Sequence, residues 1–423
     1  MRRVVVTGIG VIAPTGINIE EFWSNSVKGK SGVSDYDNYP NLKLKSRVVG
    51  KITKFNYKDF GISDIDYQQT GRPTQFAIAA TNEALKISHI TSFTKDQQEK
   101  TGICISTAIA DSPFCEKQFE KIIQFYDKSN LSEEEIDKSI YPHFFSKGSF
   151  SDITTKIASI YNIKGDVFTM STGCVGGTDA IGYAFDSIRN GEIETMICGA
   201  SEAPITGLTF ASFDIIDAIS KKNTHPKQAS SPYDVTRDGF VLSEGAGIVI
   251  LESLEHAKTR NAPIYAEILS YETCNNAIHM TSLPKDGKPL AKIMKRAIEA
   301  ANIRPCDIDY INAHGSSTPQ NDVFETNAYK EVFGEYAYKI PISSNKSIMG
   351  HPLGAASAIE FVRSCLSIKN SIIPPTINLN NPDPECDLDY VPNVYREKKI
   401  EHMILDASGF SGIHSCIVMK KYK

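Results

Sequence analysis

Short, β-rich apolar runs alternate with helical patterns along this chain of 423 residues. In the first part of the chain the apolar runs are residues 4–6, 103–105, 167–170, 195–198 and 247–251. Each run has the length of a strand, and the segments between them have room for a helix that covers it. This alternation predicts a layered α/β fold.

The second part of the chain repeats this arrangement. A helical pattern at residues 290–301 stands among strand-like runs at residues 264–268, 310–313, 340–343 and 416–419. The repetition predicts a duplicated fold whose halves span residues 1–255 and 256–423. Residues 111–150 are irregular, polar and aromatic, which indicates an insertion in the first half.

The composition argues against several classes of protein. The 45 basic and 50 acidic residues are spread along the chain, without the basic tract that is typical of nucleic-acid binding. Glycine and proline interrupt the apolar start well before the ~20 residues that a membrane span needs. The 9 cysteines are scattered and form no C-x-x-C pair, which argues against disulfides and zinc. We therefore expect a soluble, cytoplasmic protein that binds neither nucleic acid nor membrane.

Cys174 is the candidate nucleophile. It stands in the segment STGCVGG (171–177), where a strand leads into a turn of small residues and then into a helix. At a helix N-terminus the dipole and the free N–H groups favour a thiolate, relative to a free thiol with a pKa of about 8.5. Gly173, Gly176 and Gly177 would let a substrate and neighbouring backbone approach closely. The alternative is a buried structural cysteine, which is a common state of free cysteines.

Two histidines are predicted at strand-to-helix corners, where the chemistry of α/β folds tends to gather. His314 ends the apolar run INAH (311–314), and His351 follows Gly350 after a second short strand. Lys346 and Glu360 lie on either side of His351 in sequence and could form an ion pair that fixes and tunes it. Each histidine taken alone could instead be a structural residue.

A cysteine with two histidines and a lysine favours carbon–carbon bond formation. A cysteine with one histidine would also suit a hydrolase, but hydrolysis needs an activated water and usually a third group that orients the histidine. If a carboxylated thioester loses CO2, two imidazole N–H groups can hydrogen-bond the enolate oxygen that forms. The carbanion can then attack an acyl group on Cys174.

Five blocks of sequence resemble, in order, the signature motifs of the β-ketoacyl-[acyl-carrier-protein] synthase family. They are VVVTGIGVIAPTG, the turn that holds Cys174, SPYDVTRDGFVLSEGAGIVILE, INAHGSSTPQND and SSNKSIMGHPLGAASAIE. The resemblance runs along nearly the whole chain. It implies the thiolase fold, in which a duplicated unit forms five stacked α-β-α-β-α layers, and it implies a dimer.

The resemblance also implies roles for the reactive residues. Cys174 would carry the acyl chain, and the backbone N–H groups of Cys174 and Phe410 would form the oxyanion hole. His314 and His351 would bind the malonyl thioester carbonyl and promote decarboxylation. These roles agree with the chemistry that the residue types suggest.

Supporting residues follow from the same motifs. Lys346, paired with Glu360, would orient and polarise the site, and Phe240 would pack near the malonyl group. Ser316 and Thr318 match positions that hydrogen-bond the phosphopantetheine arm of an acyl carrier protein. That protein would deliver the substrate, and the resemblance implies no metal and no cofactor bound by the chain itself.

Several segments resemble the catalytic ketosynthase subunit of type II aromatic polyketide synthases. They are STGC (171–174), GASEAPIT (199–206), HGSSTPQND (314–322) and, above all, PDPECDLDYVP (382–392). This subclass builds poly-β-ketone chains as a heterodimer with a chain-length factor, a homologous subunit that lacks the active cysteine. Since Cys174 is present, the chain resembles the catalytic subunit.

Two alternatives stay open at this stage. One is a fatty-acid β-ketoacyl synthase of the elongation type. The other is an inactive partner that resembles a chain-length factor, against which the intact Cys174 argues. As an alternative to the heterodimer, the chain could form a homodimer. For the polyketide synthase and for the fatty-acid synthase alike, a basic surface near the pocket mouth is expected, because acyl carrier proteins are acidic.

Two segments depart from the family pattern. Ser411 replaces a glycine in the C-terminal loop that is expected to gate the acyl pocket, and a side chain there restricts the backbone. After the nucleophile, Val175, Gly176 and Gly177 replace the more usual Thr-Ser-Gly. The helix that follows Cys174 therefore has a less polar start.

Overall fold

A computed structural model of the chain describes residues 1–37, 39, 41–126, 132, 134 and 144–423. A mixed sheet of ten strands forms its centre. In chain order the strands are β1 (Val4–Ile12), β2 (Thr101–Ser106), β3 (Val167–Met170), β4 (Thr195–Glu202), β5 (Gly245–Ser253), β6 (Ala266–Asn275), β7 (Tyr310–Asn312), β8 (Ile342–Ser343), β9 (His402–Ser408) and β10 (Ile413–Lys420).

The sheet consists of two arms with the same strand order. The first arm is β1-β5-β4-β2-β3, the second is β6-β10-β9-β7-β8, and β1 pairs with β6 where the arms meet. In this spatial order the second strand of each arm, β5 or β10, runs antiparallel to its two neighbours. The three strands that follow it in the arm run parallel to one another. The shared order and directions confirm the predicted duplication.

Six helices cover the sheet in matching positions. They are α1 (Arg72–Ile87), α2 (Asp152–Tyr161), α3 (Gly176–Asn190), α4 (Lys288–Ala300), α5 (Pro319–Phe333) and α6 (Ala356–Asn370). Helices α1 and α2 cover the outer face of the first arm, and α4 and α5 cover that of the second. Helices α3 and α6 pack against each other between the two arms. The predicted five layers, α-β-α-β-α, are thereby confirmed.

Burial on both faces explains the continuous apolar runs of the central strands. Every residue of β1 and of β5 is buried. A strand that is covered by helices on both sides has no solvent face, so apolar residues do not alternate with polar ones. Between the arms, small side chains such as Ala180 and Ala184 of α3 and Ala358 of α6 belong to the central apolar core and let the helices lie close together.

Shorter elements surround this framework. The additional helices are Ile19–Val27, Asp64–Gln69, Lys95–Lys100, Ser112–Tyr126, Phe144–Gly148, Gly207–Ile215, Leu254–Thr259 and Lys346–Met349. Two small sheets form from Ser34–Asp35, Val48–Gly50 and Leu242–Ser243, and from Ile372–Ile373 and Arg396–Glu397. Short 3-10 turns lie at Tyr57–Phe60, Gly173–Val175, Pro226–Gln228, Pro305–Asp307, Gly334–Lys339, Leu353–Ala355 and Phe410–Gly412.

The predicted irregular segment at residues 111–150 is helical over much of its described length. The segment includes the helix Ser112–Tyr126, in which Cys115, Phe119 and Ile122 recur at helical spacing. The middle of the segment, residues 127–131, 133 and 135–143, lies outside the described residues. The prediction that the segment is an insertion stays a prediction.

Helices within the described ranges are too short or too polar to be membrane spans.

Candidate active site

Cys174 lies where β3 leads into α3, as the sequence predicts. The strand ends at Met170, a 3-10 turn spans Gly173–Val175, and α3 begins at Gly176. Gly173 has a φ of 60°, in the left-handed region that favours glycine. The turn therefore presents the cysteine at the N-terminal end of a helix of 15 residues.

The two glycines after Val175 allow close contacts around this helix end. A methyl group on Gly176 would lie 2.0 Å from Oγ of Ser106, and one on Gly177 would lie 2.5 Å from the backbone nitrogen of Ala358 in α6. The predicted close approach of neighbouring backbone is confirmed at Gly177. The collision at Gly176 gives a physical reason why this chain departs from the usual Thr-Ser-Gly, because a serine there would displace Ser106.

Burial disfavours the ionised form of the Cys174 thiol. Burial raises the pKa of Cys174 to about 11, although Lys346 and the backbone N–H groups of Phe410 and Cys174 act in the opposite direction. The expectation of an easily ionised thiol is therefore wrong for the chain by itself, because the loss of hydration outweighs the helix end. The same two N–H groups face the cysteine sulfur, which is where an oxyanion hole would have to lie.

His314 follows β7 and is held by Lys346. The lysine ammonium lies 3.3 Å from Nδ1 of His314 and 2.7 Å from its carbonyl oxygen, and it forms an ion pair of 2.5 Å with Glu360. An ammonium group can only donate hydrogen bonds, so Nδ1 of His314 accepts and the ring proton lies on Nε2. The predicted pair of Lys346 and Glu360 thus forms, and it fixes the tautomer of His314, whereas it had been expected to act on His351.

His351 stands between Phe240 and His314. Its ring meets both of theirs edge to face, with centroid distances of 5.2 Å to Phe240 and 5.3 Å to His314. Burial, and the charge of Lys346, lower the pKa of each of the two histidines well below the ordinary value. Both imidazoles are therefore neutral near pH 7, and a neutral imidazole can donate one hydrogen bond and accept another.

One pocket of about 270 Å³ brings the predicted residues together. Its lining includes Cys174, His314, His351, Phe240, Phe410, Ser316 and Thr318. The hydroxyl groups of Ser316 and Thr318 lie 2.9 Å apart, and Thr318 also caps the first turn of α5. Lys346 and Glu360 do not line the pocket and are buried behind His314.

Other lining residues were missed by the reasoning from sequence. Phe213 packs against both Phe240 and Phe410, with ring centroids 5.2 and 6.2 Å away. Asp217 and Ser408 supply further polar atoms to the lining. No local signal distinguishes these residues from others of their type, because they reach the pocket only through the packing of distant segments.

Buried carboxylates surround the site without lining it. Glu202 at the end of β4 accepts hydrogen bonds from Thr107 and from the backbone N–H groups of Ala108 and Gly354. Asp406 of β9 accepts one from Tyr329. Burial raises the pKa of Glu202 and that of Asp406 to about 7. Hydrogen-bonded carboxyl groups are therefore buried near the pocket.

Family models match most of the chain. The β-ketoacyl synthase N-terminal domain matches residues 1–257, and the β-ketoacyl synthase C-terminal domain matches residues 265–380. The tetracenomycin polyketide synthase ketoacyl synthase alpha subunit of Streptomyces glaucescens is 38% identical over 100% of this chain and 98% of its own length. The 3-oxoacyl-[acyl-carrier-protein] synthase 2 of Coxiella burnetii is 36% identical over 99% of both chains.

Solved structures agree over the full length. A chain from a type II polyketide synthase acyl-carrier protein in complex with its ketosynthase bound to the hexaketide is 42% identical, with a TM-score of 0.90 and 100% of both chains covered. A chain of the ishigamide ketosynthase/chain length factor is 29% identical, with a TM-score of 0.90 and the same coverage. With the fold, the pocket and these matches in agreement, the chain belongs to the β-ketoacyl synthase family of condensing acyltransferases and has the thiolase fold.

Proposed function

We propose that this chain is the catalytic ketosynthase subunit of a type II polyketide synthase, which builds a poly-β-ketone from malonyl units. The observation that carries the proposal is a single pocket that holds a cysteine and two neutral histidines. The likeness to a polyketide ketoacyl synthase alpha subunit, and to a ketosynthase bound to a hexaketide, supports the polyketide subclass.

In the first step an acyl chain moves from a carrier-protein thioester to Cys174. The sulfur attacks the acyl carbon, and its proton goes to the departing pantetheine sulfur, so that one thioester replaces another. The tetrahedral oxyanion accepts hydrogen bonds from the backbone N–H groups of Cys174 and Phe410, which face the sulfur. Because the resting thiol is neutral, its proton has to leave as the new bond forms.

In the second step the histidines promote loss of CO2 from a malonyl thioester. The carbon–carbon bond to the carboxylate breaks, and the electron pair moves into an enolate whose oxygen accepts hydrogen bonds from Nε2–H of His314 and from His351. The enolate carbon then attacks the acyl carbon, and the Cys174 sulfur leaves as a thiolate that takes up a proton from the solvent. Lys346 and Glu360 act as positioning residues, because they hold the proton of His314 on Nε2.

The remaining lining residues bind the arm that carries the substrate. Ser316 and Thr318 hydrogen-bond a phosphopantetheine arm, and Phe240 packs against the malonyl group beside His351. This arrangement requires an acyl carrier protein as partner. The two halves then divide the work: residues 1–255 supply Cys174, and residues 256–423 supply both histidines.

The carrier protein docks at the pocket mouth around Asp217. Lys45 and Lys221 each place Nζ 2.7 Å from the carboxylate of Asp217, and all three side chains are about half exposed. The two exposed ammonium groups lie beside the carboxylates of Asp217, Asp214 and Asp238 and can pair with acidic groups of a partner. Ile216, which is exposed and also lines the pocket, adds an apolar contact.

A double charge reversal, Lys45→Glu with Lys221→Glu, tests this docking surface. We expect a higher KM for malonyl-loaded carrier protein and an unchanged rate with malonyl-pantetheine, which needs no docking. An equal loss with both substrates would mean that the lysines support the pocket and do not bind the carrier protein.

A homologous chain-length factor is the proposed second partner, and a homodimer is the alternative. The edge strand β3 has one neighbour among the described strands, and its four residues are only partly buried. An edge of this kind presents unpaired backbone groups to another strand. The likeness to a chain of a ketosynthase/chain length factor supports a homologous partner.

Co-expression with candidate partners tests the function. The purified complex is incubated with malonyl-loaded carrier protein, and the bound chains are followed by intact-protein mass spectrometry. We expect unreduced chains that grow by successive malonyl units, and growth that depends on a partner without the active cysteine. Growth by the chain alone, from a saturated primer and with one condensation per reduction cycle, would contradict the proposal.

A fatty-acid β-ketoacyl synthase is the second candidate function. It is favoured by the 36% identity to a 3-oxoacyl-[acyl-carrier-protein] synthase, which nearly equals the identity to the polyketide relative. The same mass spectrometry separates the two functions by the oxidation state of the growing chain. A third reading, an inactive partner subunit, requires that Cys174 resist a cysteine-directed ketosynthase inhibitor.

A further inference from the structure

A chain of three hydrogen-bonded side chains reaches the pocket at Ser408. This serine is the last residue of β9, and it lines the pocket together with Cys174. A methyl group on the next residue, Gly409, would lie 3.7 Å from Cβ of Cys174. On its other side, Oγ of Ser408 lies 2.9 Å from Nδ1 of His414 in β10. The condensation described above uses neither Ser408 nor His414.

Contacts around Asn276 determine where the protons lie in this chain. Oδ1 of Asn276 accepts a hydrogen bond of 3.0 Å from the backbone N–H of Ile278, so the amide nitrogen is the atom that faces His414. That nitrogen lies 3.4 Å from Nε2 of His414 and can only donate. Nε2 therefore accepts, and Nδ1 of His414 carries the ring proton.

Because Nδ1 of His414 carries the ring proton, the hydroxyl group of Ser408 has its own proton free to donate. Nδ1–H of His414 donates to Oγ of Ser408, and the structure gives that hydroxyl no second partner among the described residues. The ring of His414 stacks on Phe324, with 5.1 Å between centroids, and burial lowers its pKa to about 4. The imidazole thus stays neutral near pH 7, and the direction of the hydrogen bonds is maintained.

We infer that Ser408 donates a hydrogen bond to a ketone oxygen of the chain bound at Cys174, and that it thereby selects unreduced chains over reduced ones. This inference rests on the proposed function, because only an unreduced chain carries a ketone oxygen at every second carbon. Ser408 is then a specificity-determining residue, and His414 with Asn276 are positioning residues.

The surroundings of Ser408 explain why the selection is effective. Much of the pocket lining is apolar, including Phe213, Leu283 and Phe410. A saturated chain would exclude water from the Ser408 hydroxyl without replacing its hydrogen bond, and an unpaired buried donor is costly. Sites that hydrogen-bond a substrate oxygen therefore reject the analogue that lacks it.

A Ser–His pair could also be a hydrolytic dyad, but the proton positions argue against this role. A serine nucleophile needs a histidine nitrogen that accepts its proton. Here Nδ1 of His414 faces Ser408 with its proton in place, and the Asn276 amide holds that tautomer. The arrangement makes Ser408 a donor toward the pocket.

The test compares two primers of equal length, acetoacetyl and butyryl thioesters, as chains to be extended by malonyl-loaded carrier protein. The enzyme is used with the partner that co-purifies with it, and kcat/KM is measured for each primer. We expect Ser408→Ala to lower kcat/KM for acetoacetyl about tenfold, the usual size of one hydrogen bond, and to raise kcat/KM for butyryl, because no buried donor is then left unpaired. His414→Phe keeps the stacking on Phe324 and should lower the acetoacetyl value by a smaller factor.

Ser270→Ala is the matched control. Ser270 is buried in β6, its hydroxyl donates to the carbonyl of Ala297, and it lies outside the pocket lining. Its loss should leave the ratio of the two primers unchanged. An equal fall in kcat/KM for both primers in Ser408→Ala, or no fall for either primer, would overturn the inference. In that case a wild-type preference for acetoacetyl would still uphold the proposed function. A wild-type enzyme that extends butyryl only would overturn the proposed function and, with it, the inference.

Discussion

The two halves of the molecule have the same framework but supply different chemistry. In each half a connection leads from the third strand of that half, in chain order, to a central helix. Cys174 lies in the connection between β3 and α3, and His351 lies in the connection between β8 and α6. His314 lies two residues after the end of β7. The corresponding position in the first half, two residues after the end of β2, is Ala108. The second half therefore supplies both imidazoles to the pocket, and the first half supplies the cysteine.

The difference shows how a duplicated fold can serve an asymmetric reaction. The shared strand order brings the corresponding turns of the two halves to one pocket, because α3 and α6 lie side by side between the arms. The side chains at those turns then decide the role of each half. If this division is correct, damage to one half should leave the partial reaction of the other half intact.

The largest effect is expected for Cys174→Ala. Condensation should fall by at least about a thousandfold, because no other group can carry the acyl chain. Decarboxylation of malonyl-loaded carrier protein should continue, since both histidines of the second half remain. Release of labelled CO2, measured beside product formation, checks both expectations. Loss of both activities in a folded variant would contradict the division of the two halves.

The reciprocal change removes one imidazole from the second half. His314→Ala and His351→Ala should each slow decarboxylation by about 10²–10³-fold, because one oxyanion donor is worth about 3 kcal/mol. Transfer of an acyl group to Cys174 should be affected less, and mass spectrometry of the acylated chain measures it. His225→Ala, at an exposed position outside the pocket lining, is the control. Near-normal CO2 release in either variant would remove that histidine from the pair.

Local signals explain why the reactive corners could be predicted. The turns around Cys174, His314 and His351 consist of small residues beside a strand and a helix, and this pattern is visible in a few consecutive residues. The strand β9 was not predicted, although it is central in the second arm. Its place there depends on pairing with β7, as between Ile404 and Ile311, which are far apart in the chain.

One missed part of the site, Ser408, follows from that missing strand. Ser408 ends β9, and His414 lies opposite it on β10, so their contact exists only once the two strands pair. The acidity of Cys174 was predicted in the wrong direction for a similar reason. A helix end can be read from neighbouring residues, but burial depends on the whole fold.

A smaller effect is expected from the raised pKa of Cys174. With a pKa raised to about 11, the rate of Cys174 alkylation by iodoacetamide should rise about tenfold per pH unit from pH 7 to pH 10. Peptide-level mass spectrometry separates Cys174 from the exposed Cys306, which serves as an internal reference. A plateau that begins below pH 8 would show that the helix N-terminus, and not burial, dominates the thiol of the first half.

The smallest effect concerns a connection that differs between the halves. From β9 to β10 the chain turns within residues 409–412, whereas the corresponding connection from β4 to β5 spans residues 203–244. The short turn places Phe410 in the pocket lining and holds Ser411 at a φ of 68°. The left-handed conformation costs a residue with a side chain about 1–2 kcal/mol of conformational free energy.

Ser411→Gly should therefore raise the free energy of unfolding, by about 1 kcal/mol or less, because glycine also adds freedom to the unfolded chain. Ser411→Ala keeps the restriction of a side chain and is the matched control, and urea unfolding of both variants measures the difference. The backbone hydrogen bonds of residue 411, to Met280 and from Asn275, are available to every variant. If glycine and alanine give equal stability, the turn does not hold the left-handed conformation, and the position of Phe410 must depend on its contact with Phe213 instead.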